Sequence, residues 1–353
     1  MHLDARVGSQ MCMCKRLRVN RRMKQLAVVI ILACLTMSYA KAESLKFRNG
    51  EDLLSGHYLQ PDTGKPKAVI LFVHGDGPLD YDAYGYYPLI WKRLLKQGFA
   101  IFSWDKPGVG SSTGNWLTQT MQDRQREVQS AINVIQKRYS FSGTQFGLIG
   151  FSQAGWVVPA LAKNNPDVGF VIGIGFAIDW FEQSWYLTRV RLMQEGANEA
   201  VIKAAYVTHI QEIEFLEQKP SYDLYLKKYG LTPKQMTKDR FGFILKNSSV
   251  NATQDYIGLK QPMLLLLGDK DLNMDIYNTK SIVKKLVDDQ PNIQITIIKN
   301  ATHVMLDADH FDEQSPGLAF LFKLIWKGDK AVAPEFNNVL DEWLSRRNWL
   351  LSN

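Results

Sequence analysis

Gly150-Phe151-Ser152-Gln153-Ala154-Gly155 stands between an apolar strand pattern at 145–151 and a helical pattern at 153–163. In so sharp a turn from strand to helix, the residues that flank the central one must be small, and glycine or alanine meets that need. The turn lifts the hydroxyl of Ser152 above the edge of the sheet, next to the partly positive N-terminus of a helix. The segment therefore predicts that Ser152 is a nucleophile.

Strand and helix patterns alternate on both sides of this segment. Two short strands of an edge hairpin are predicted at 44–49 and 56–60. Apolar runs predict further, buried strands at 68–73, 100–104, 145–151, 168–176, 262–268 and 293–298. Helical spacing predicts helices at 87–97, 122–138, 153–163, 277–287, 318–326 and 335–350. Such alternation predicts an α/β fold with a mainly parallel central sheet flanked by helices.

The alternation is interrupted once, at 180–255. This stretch is mostly helical in pattern, richer in charge and tyrosine, and lacks a convincing core strand. We interpret it as a helical cap inserted into one sheet domain, which would comprise 43–179 and 256–353. We expect the insertion to set substrate size and to contribute little to the chemical step. Trp180, Trp185 and Tyr186 at its start would either wall a substrate pocket or pack against neighbouring helices.

A second motif, His74-Gly75-Asp76-Gly77-Pro78, follows the strand predicted at 68–73. Acyl transfer requires backbone N–H groups aimed at the oxygen that becomes negatively charged. We assign one such donor to Gln153, in the turn after the nucleophile, and the other to Asp76. The carboxylate of Asp76 must then point away from the oxyanion, and a backbone amide of its own turn is a candidate partner.

With these motifs the chain resembles the α/β-hydrolases, and among them bacterial serine esterases with an H-G-S-G-P oxyanion loop. Asp76 stands where serine is usual in that loop, and the elbow differs from G-x-S-x-G-G at Gln153 and Ala154. Residues 105–112 resemble the family's D-x-x-G-x-G-x-S segment. The resemblance covers about 65–305; it is specific for fold and mechanism and weak for substrate.

The resemblance implies a catalytic triad in the order serine, acid, histidine. Gly268-Asp269-Lys270-Asp271 is similar to the family's G-x-x-D, which places the acid at Asp271, and Asn300-Ala301-Thr302-His303 is similar to the loop that bears the histidine. Asp269 and Asp179 remain alternative acids; Asp179 follows a strand end, where some members of the family place theirs.

The leading functional hypothesis is a hydrolase of small carboxylic esters that works through an acyl-enzyme and needs no metal or organic cofactor. A peptidase of the same fold is the second hypothesis, and cap acids such as Glu212 would then bind the peptide amine. A catalytically idle binding protein on the same scaffold is the third.

The N-terminal 42 residues read as a signal peptide. A basic stretch ends at Lys24, an apolar run occupies 26–35, and Ala40-Lys41-Ala42 fits a cleavage site before Glu43. Lipid attachment at Cys34, an uncleaved anchor and a start at Met23 are alternatives. All three cysteines lie in this leader, so the mature chain would suit an oxidising periplasm.

Removal of the leader also removes the basic character of the chain. The net charge is +7, but residues 1–42 hold eight basic residues and one acid, which leaves 34 of each sign in the remainder. This balance argues against nucleic-acid binding, and we expect no stable insertion into a membrane after the leader is cleaved.

Overall fold

The computed structural model describes residues 42–61, 64–141, 145–287, 290–314 and 317–346. The predicted signal peptide lies outside these residues except for Ala42, and so does the candidate lipid site at Cys34. In the described part of the chain, no helix has the length and apolar character needed to cross a membrane.

The centre of the molecule is a sheet of eight strands in the order β1-β2-β4-β3-β5-β6-β7-β8. The strands are β1 Ala42–Asn49, β2 Asp52–Leu59, β3 Val69–Val73, β4 Ala100–Trp104, β5 Phe146–Phe151, β6 Val168–Ile174, β7 Met263–Gly268 and β8 Ile293–Ile298. β2 pairs antiparallel with both β1 and β4, and all other pairs are parallel. This is the α/β-hydrolase architecture that the sequence predicts.

The sheet is central because every residue of β3 to β7 is buried. Strands that bury both faces are nearly continuously apolar, as these are apart from Ser103 in β4. The strand order reverses between β3 and β5, which lie side by side with Val73 opposite Gly150. Open α/β sheets bind ligands beyond the carboxyl ends of the strands at such a reversal. The loop after β3 and the turn after β5 both begin there.

Helices cover both faces of the sheet. They are α1 Pro88–Lys96, α2 Met121–Tyr139, α3 Val158–Asn164, α4 Trp180–Gln194, α5 Glu199–Glu217, α6 Tyr222–Tyr229, α7 Lys238–Asn247, α8 Thr253–Tyr256, α9 Ile276–Leu286, α10 Ala308–Phe311, α11 Leu318–Lys327 and α12 Pro334–Ser345. Buried side chains of α1, α11 and α12 form one hydrophobic core with the sheet. Those of α2, α3 and α9 form the other, to which α4, α6 and α7 also contribute. Helices α4 to α8 all lie between β6 and β7 in the chain.

Several predicted boundaries shift by a few residues, and two of these shifts have a clear local reason. The helix expected over 153–163 is a 3₁₀ turn at Ser152–Trp156 followed by α3, because Pro159 has no N–H and fits only the first turn of an α-helix. The strand expected to reach 176 ends at Ile174, because Gly175 adopts a φ of +63° that extended backbone does not allow.

Candidate active site

The turn after β5 has the geometry of a nucleophile elbow. Ser152 has a φ of +51°, which is rare for a residue with a side chain and is a form of strain found at functional sites. The small neighbours are required by packing: a Cβ at Gly150 would lie 2.7 Å from the Phe176 ring, and one at Gly155 would lie 2.9 Å from the same side chain. The sequence prediction that small residues must flank Ser152 is therefore physically explained.

The loop after β3 packs directly on this elbow. A Cβ at Gly75 would lie 3.3 Å from the Cβ of Ser152 and 3.2 Å from the carbonyl oxygen of Phe151. His74 anchors the start of the loop, with Nε2 2.5 Å from the Trp104 carbonyl and Nδ1 3.1 Å from the Tyr87 hydroxyl. Burial lowers the pKa of His74 to about 3, so the ring is neutral. Its two hydrogen bonds hold the start of the loop in place.

An acid–histidine pair lies at the carboxyl ends of β7 and β8. Oδ2 of Asp271 accepts a hydrogen bond from Nδ1 of His303 at 2.7 Å, and both residues are buried. The other oxygen of Asp271 accepts hydrogen bonds from the backbone N–H groups of Asn273, at 2.7 Å, and Met274, at 3.0 Å. The carboxylate is thus fixed, and a proton on Nδ1 leaves Nε2 of the imidazole as the acceptor.

The imidazole of His303 also lies against the backbone of Gly175, just beyond β6. A Cβ at Gly175 would be 2.7 Å from the carbonyl oxygen of His303 and 2.9 Å from both Cε1 and Nδ1 of the ring. Glycine is therefore required here both by its φ and by the close approach of the histidine. The sequence analysis did not identify this residue, although a glycine that ends a buried strand is the signal that marks it.

The two alternative acids have other partners. Oδ1 of Asp179 caps α4 by accepting the N–H of Glu182, and its Oδ2 accepts a hydrogen bond from Asn251 at 2.8 Å. Oδ1 of Asp269 lies 3.4 Å from the N–H of Ala301. Among the three candidate carboxylates, all of them described, Asp271 makes the hydrogen bond to His303.

The side chains of the two predicted oxyanion donors contact each other. Nε2 of Gln153 donates to Oδ1 of Asp76 at 3.1 Å, and Oε1 of Gln153 accepts from Nη1 of Arg124 at 2.7 Å. Arg240 of α7 donates to both oxygens of Asp76, at 3.1 and 3.0 Å. Burial alone would raise the pKa of Asp76, but the charge and hydrogen bonds of Arg240 lower it to about 2. A backbone amide of the turn, that of Gly77, also contacts this carboxylate, as expected from the sequence.

Two buried basic side chains that were not predicted from the sequence hold the backbone of the same loop. Nζ of Lys106 donates to the carbonyl of Gly75 at 3.1 Å and lies 4.3 Å from the centre of the Trp116 ring. Arg124 donates to the carbonyl of His74. Burial lowers the pKa of both basic groups. The helical spacing of the sequence indicates that Arg124 is buried, because it falls on the core-facing side of α2, between the buried Met121 and Val128.

The three aromatic residues proposed to contact substrate occupy different environments. Trp180 is buried, with its ring 5.1 Å from that of Trp156 in a stacked arrangement, so it packs in the interior. Tyr186 donates its hydroxyl to the carbonyl of Asp271 at 3.0 Å and so braces the loop that bears this carboxylate. Trp185 is half-buried, with its ring 4.8 Å from that of Tyr206.

Metal ligands do not gather at this site. Within the described ranges, no group of three or more His, Cys, Asp or Glu side chains has an arrangement that could hold a metal ion.

Comparison with known proteins places this geometry in context. The family model described as "Serine aminopeptidase, S33" matches residues 64–309. No curated protein matches the chain. An esterase from Pyrococcus furiosus is similar in structure, with a TM-score of 0.55 at 14% identity over 87% of this chain and 91% of its own.

Two further solved structures resemble the chain. The proline iminopeptidase of Mycobacterium smegmatis has a TM-score of 0.53 at 13% identity, over 87% of this chain and 99% of its own. An α/β hydrolase from Penicillium sp. sh18 has a TM-score of 0.56 at 14% identity, over 89% of this chain and 100% of its own. At such low identities the likeness is one of fold, and one fold hosts many functions.

Proposed function

Because the chain belongs to the serine aminopeptidase S33 family and has the α/β-hydrolase fold, we propose that it is a serine hydrolase that cleaves carboxylic esters. The observation that carries the proposal is the hydrogen bond between the buried carboxylate of Asp271 and Nδ1 of His303, at the same sheet edge as the strained Ser152. Such a pair fixes the tautomer that a general base needs.

The proposed reaction has two steps. His303 accepts the proton of the Ser152 hydroxyl as the oxygen attacks the acyl carbon, and then gives that proton to the departing alcohol. Asp271 stabilises the imidazolium that forms in between. In the second step, water attacks the acyl-enzyme and gives a proton to His303, which passes it to the Ser152 oxygen as the acid departs.

The backbone N–H groups of Asp76 and Gln153 are the proposed donors to the oxyanion. Support comes from the contact of Gly75 with Ser152, which brings the loop after β3 to the nucleophile. The carbonyl that precedes the N–H of Asp76, that of Gly75, accepts a hydrogen bond from the buried Lys106, and the neighbouring carbonyl of His74 accepts one from Arg124. A preorganised donor pair of this kind is usually the largest single contribution to acyl transfer.

We also propose that 180–255 forms a cap over the acyl pocket, with Trp185 at its boundary. Trp185 is partly exposed, and its ring contacts Tyr206 of the same stretch. Hydrophobic walls discriminate by about 1–3 kcal/mol per methylene, so selectivity for acyl length should be graded.

A peptidase is the second candidate, because the family description names aminopeptidases and one similar structure is a proline iminopeptidase. An aminopeptidase needs an anionic group for the substrate amine. The cap residue Glu212 is half-buried and accepts a hydrogen bond from the Tyr225 hydroxyl, and burial raises its pKa to about 7. Because the Tyr225 hydroxyl already engages this carboxyl, Glu212 is a weak candidate for binding the substrate amine.

The test combines a covalent label with a substrate panel. A fluorophosphonate should label the wild type at Ser152, and Ser152→Ala should abolish labelling and lower kcat on p-nitrophenyl esters by about 10⁴-fold or more. Ser281→Ala, which changes an exposed serine of α9, is the matched control and should behave as wild type. Labelling without ester turnover, together with release of p-nitroaniline from aminoacyl anilides, would favour the peptidase. An unlabelled wild type would indicate an idle binding protein.

A further inference from the structure

We propose that Arg240, a residue of the helical insertion, is a positioning residue for catalysis that neutralises the carboxylate of Asp76 beside the oxyanion site. The inference deepens the proposed function and rests on it. Its starting point is the departure at position 76, where an acid stands in place of the serine usual in H-G-S-G-P loops.

A carboxylate at position 76 would repel the oxyanion that forms during acyl transfer, unless a cation neutralised it. The backbone N–H of a residue and its own side-chain carboxylate are so close that an oxyanion bound to the N–H lies within roughly 6 Å of the carboxylate. At that separation, and at an effective dielectric of about 20, two like charges repel by an amount equivalent to roughly 10²-fold in rate. Partial exposure to solvent reduces the effect, so an unpaired Asp76 should slow acylation by about tenfold or more.

The contact with Arg240 has the geometry that neutralisation requires. Two guanidinium N–H groups donate to the two carboxylate oxygens, at 3.1 and 3.0 Å, in the fork arrangement that lysine cannot reproduce. Only 16% of the Arg240 side chain and 34% of the Asp76 side chain are exposed, which limits screening by water. The guanidinium carbon also lies 5.3 Å from the centre of the Phe243 ring, one turn further along α7.

Helix α7 is held against the sheet domain at both ends, so the position of Arg240 on this helix is fixed. Near its N-terminus, Asp239 accepts a hydrogen bond from Asn115 at 3.0 Å. At its C-terminus, Asn247 donates to the carbonyl of Gln119 at 3.1 Å and accepts from the N–H of Met121 at 3.0 Å. The insertion therefore supplies part of the electrostatic environment of the chemical step, which the sequence analysis did not expect.

Two variants that break the same ion pair distinguish this role from simple docking. Arg240→Gln leaves an anion beside the oxyanion, whereas Asp76→Asn leaves a cation there and keeps both the backbone N–H and a side-chain acceptor for Gln153. We expect kcat on p-nitrophenyl acetate to fall by about tenfold or more in Arg240→Gln, with KM within about threefold of wild type. Asp76→Asn should lower kcat by less than Arg240→Gln does, and the double variant should resemble Asp76→Asn.

The matched control is Asp239→Asn, which alters the neighbouring contact of α7 with the sheet domain and should leave kcat and KM unchanged. All assays are run well below the lowest Tm of the set. Equal losses of kcat in Arg240→Gln and Asp76→Asn, or no recovery in the double variant, would show that the pair only docks the helix and would overturn the inference.

A second variant covers the case in which Arg240→Gln does not fold. Arg240→Lys keeps the charge and loses the fork, so kcat should fall by less than about tenfold, and a larger loss would contradict the charge argument. Fluorophosphonate labelling of the wild type separates the two proposals. If the wild type is labelled and turns over esters while the variants show no asymmetry, the role of Arg240 fails and the hydrolase stands; if the wild type is not labelled, both fail.

Discussion

Gly175→Ala tests whether the position of the His303 imidazole controls catalysis. The new Cβ would lie 2.7 Å from the carbonyl oxygen of His303 and 2.9 Å from its Nδ1 and Cε1. Ordinary contacts are about 3.5 Å, so the histidine must move by roughly 0.5 Å or more. A displacement of about 1 Å in an active site can cost about 10²-fold. We therefore expect kcat to fall by about 10- to 100-fold, a barrier increase of roughly 1.4–2.8 kcal/mol.

The assay is hydrolysis of p-nitrophenyl butyrate, with Tm and circular dichroism to verify folding. Gly196→Ala is the matched control: its φ is +77°, and no atom lies within 4 Å of the new Cβ. Both variants bear the cost of placing alanine in the left-handed region, about 1–2 kcal/mol of stability, but only one displaces His303. If the two variants had the same kcat while both stayed folded, the close contact with Gly175 would not position the catalytic base, and the reasoning would be wrong.

Three further predictions follow from the same contacts. Asp271→Asn should lower kcat by about 10⁴-fold, whereas Asp269→Asn and Asp179→Asn should stay within about fivefold; a reversed order would reassign the acid. Burial raises the pKa of Glu212 to about 7, so its stabilising contribution is present below the usual carboxyl pKa and is lost as pH rises through 7. The Tm of the wild type should therefore fall from pH 5 to 8 relative to that of Glu212→Gln, and parallel profiles would contradict this. Trp185→Ala should shift preference towards longer acyl chains, with kcat on the shortest ester within about tenfold; an unchanged profile would assign this ring to packing.

The fold was predictable because its determinants are local in the sequence. Short, largely apolar runs of five to seven residues between turn signals favour strands buried on both faces, and the five strands from β3 to β7 fit that description. The elbow is equally local, since small residues at 150, 154 and 155 and a strand on one side are all within ten positions of Ser152. The boundaries were less predictable: Pro159 converted the start of one helix into a 3₁₀ turn.

The environment of the candidate site was less predictable because it depends on contacts between distant segments. Asp76 and Arg240 are 164 positions apart, and neither residue by itself indicates the other. The choice between packing and substrate contact for Trp180 likewise depended on Trp156, which lies in a different element. Hydrophobic pattern identifies that an aromatic side chain is buried, but it does not identify which surface buries it.

The side chains of Asp76 and Gln153 are compatible for a physical reason. The loop after β3 carries a carboxylate at position 76, and the turn after β5 carries a neutral amide at position 153. With an acid at both positions, Nε2 of Gln153 would be replaced by a carboxylate oxygen facing Oδ1 of Asp76 at about the same distance, and the two anions would repel. The amide instead donates to Asp76 and accepts from Arg124, so each polar atom of the pair is satisfied. We therefore regard Asp76, Gln153, Arg124 and Arg240 as one hydrogen-bonded unit, so that a change at one position alters the environment of the other three.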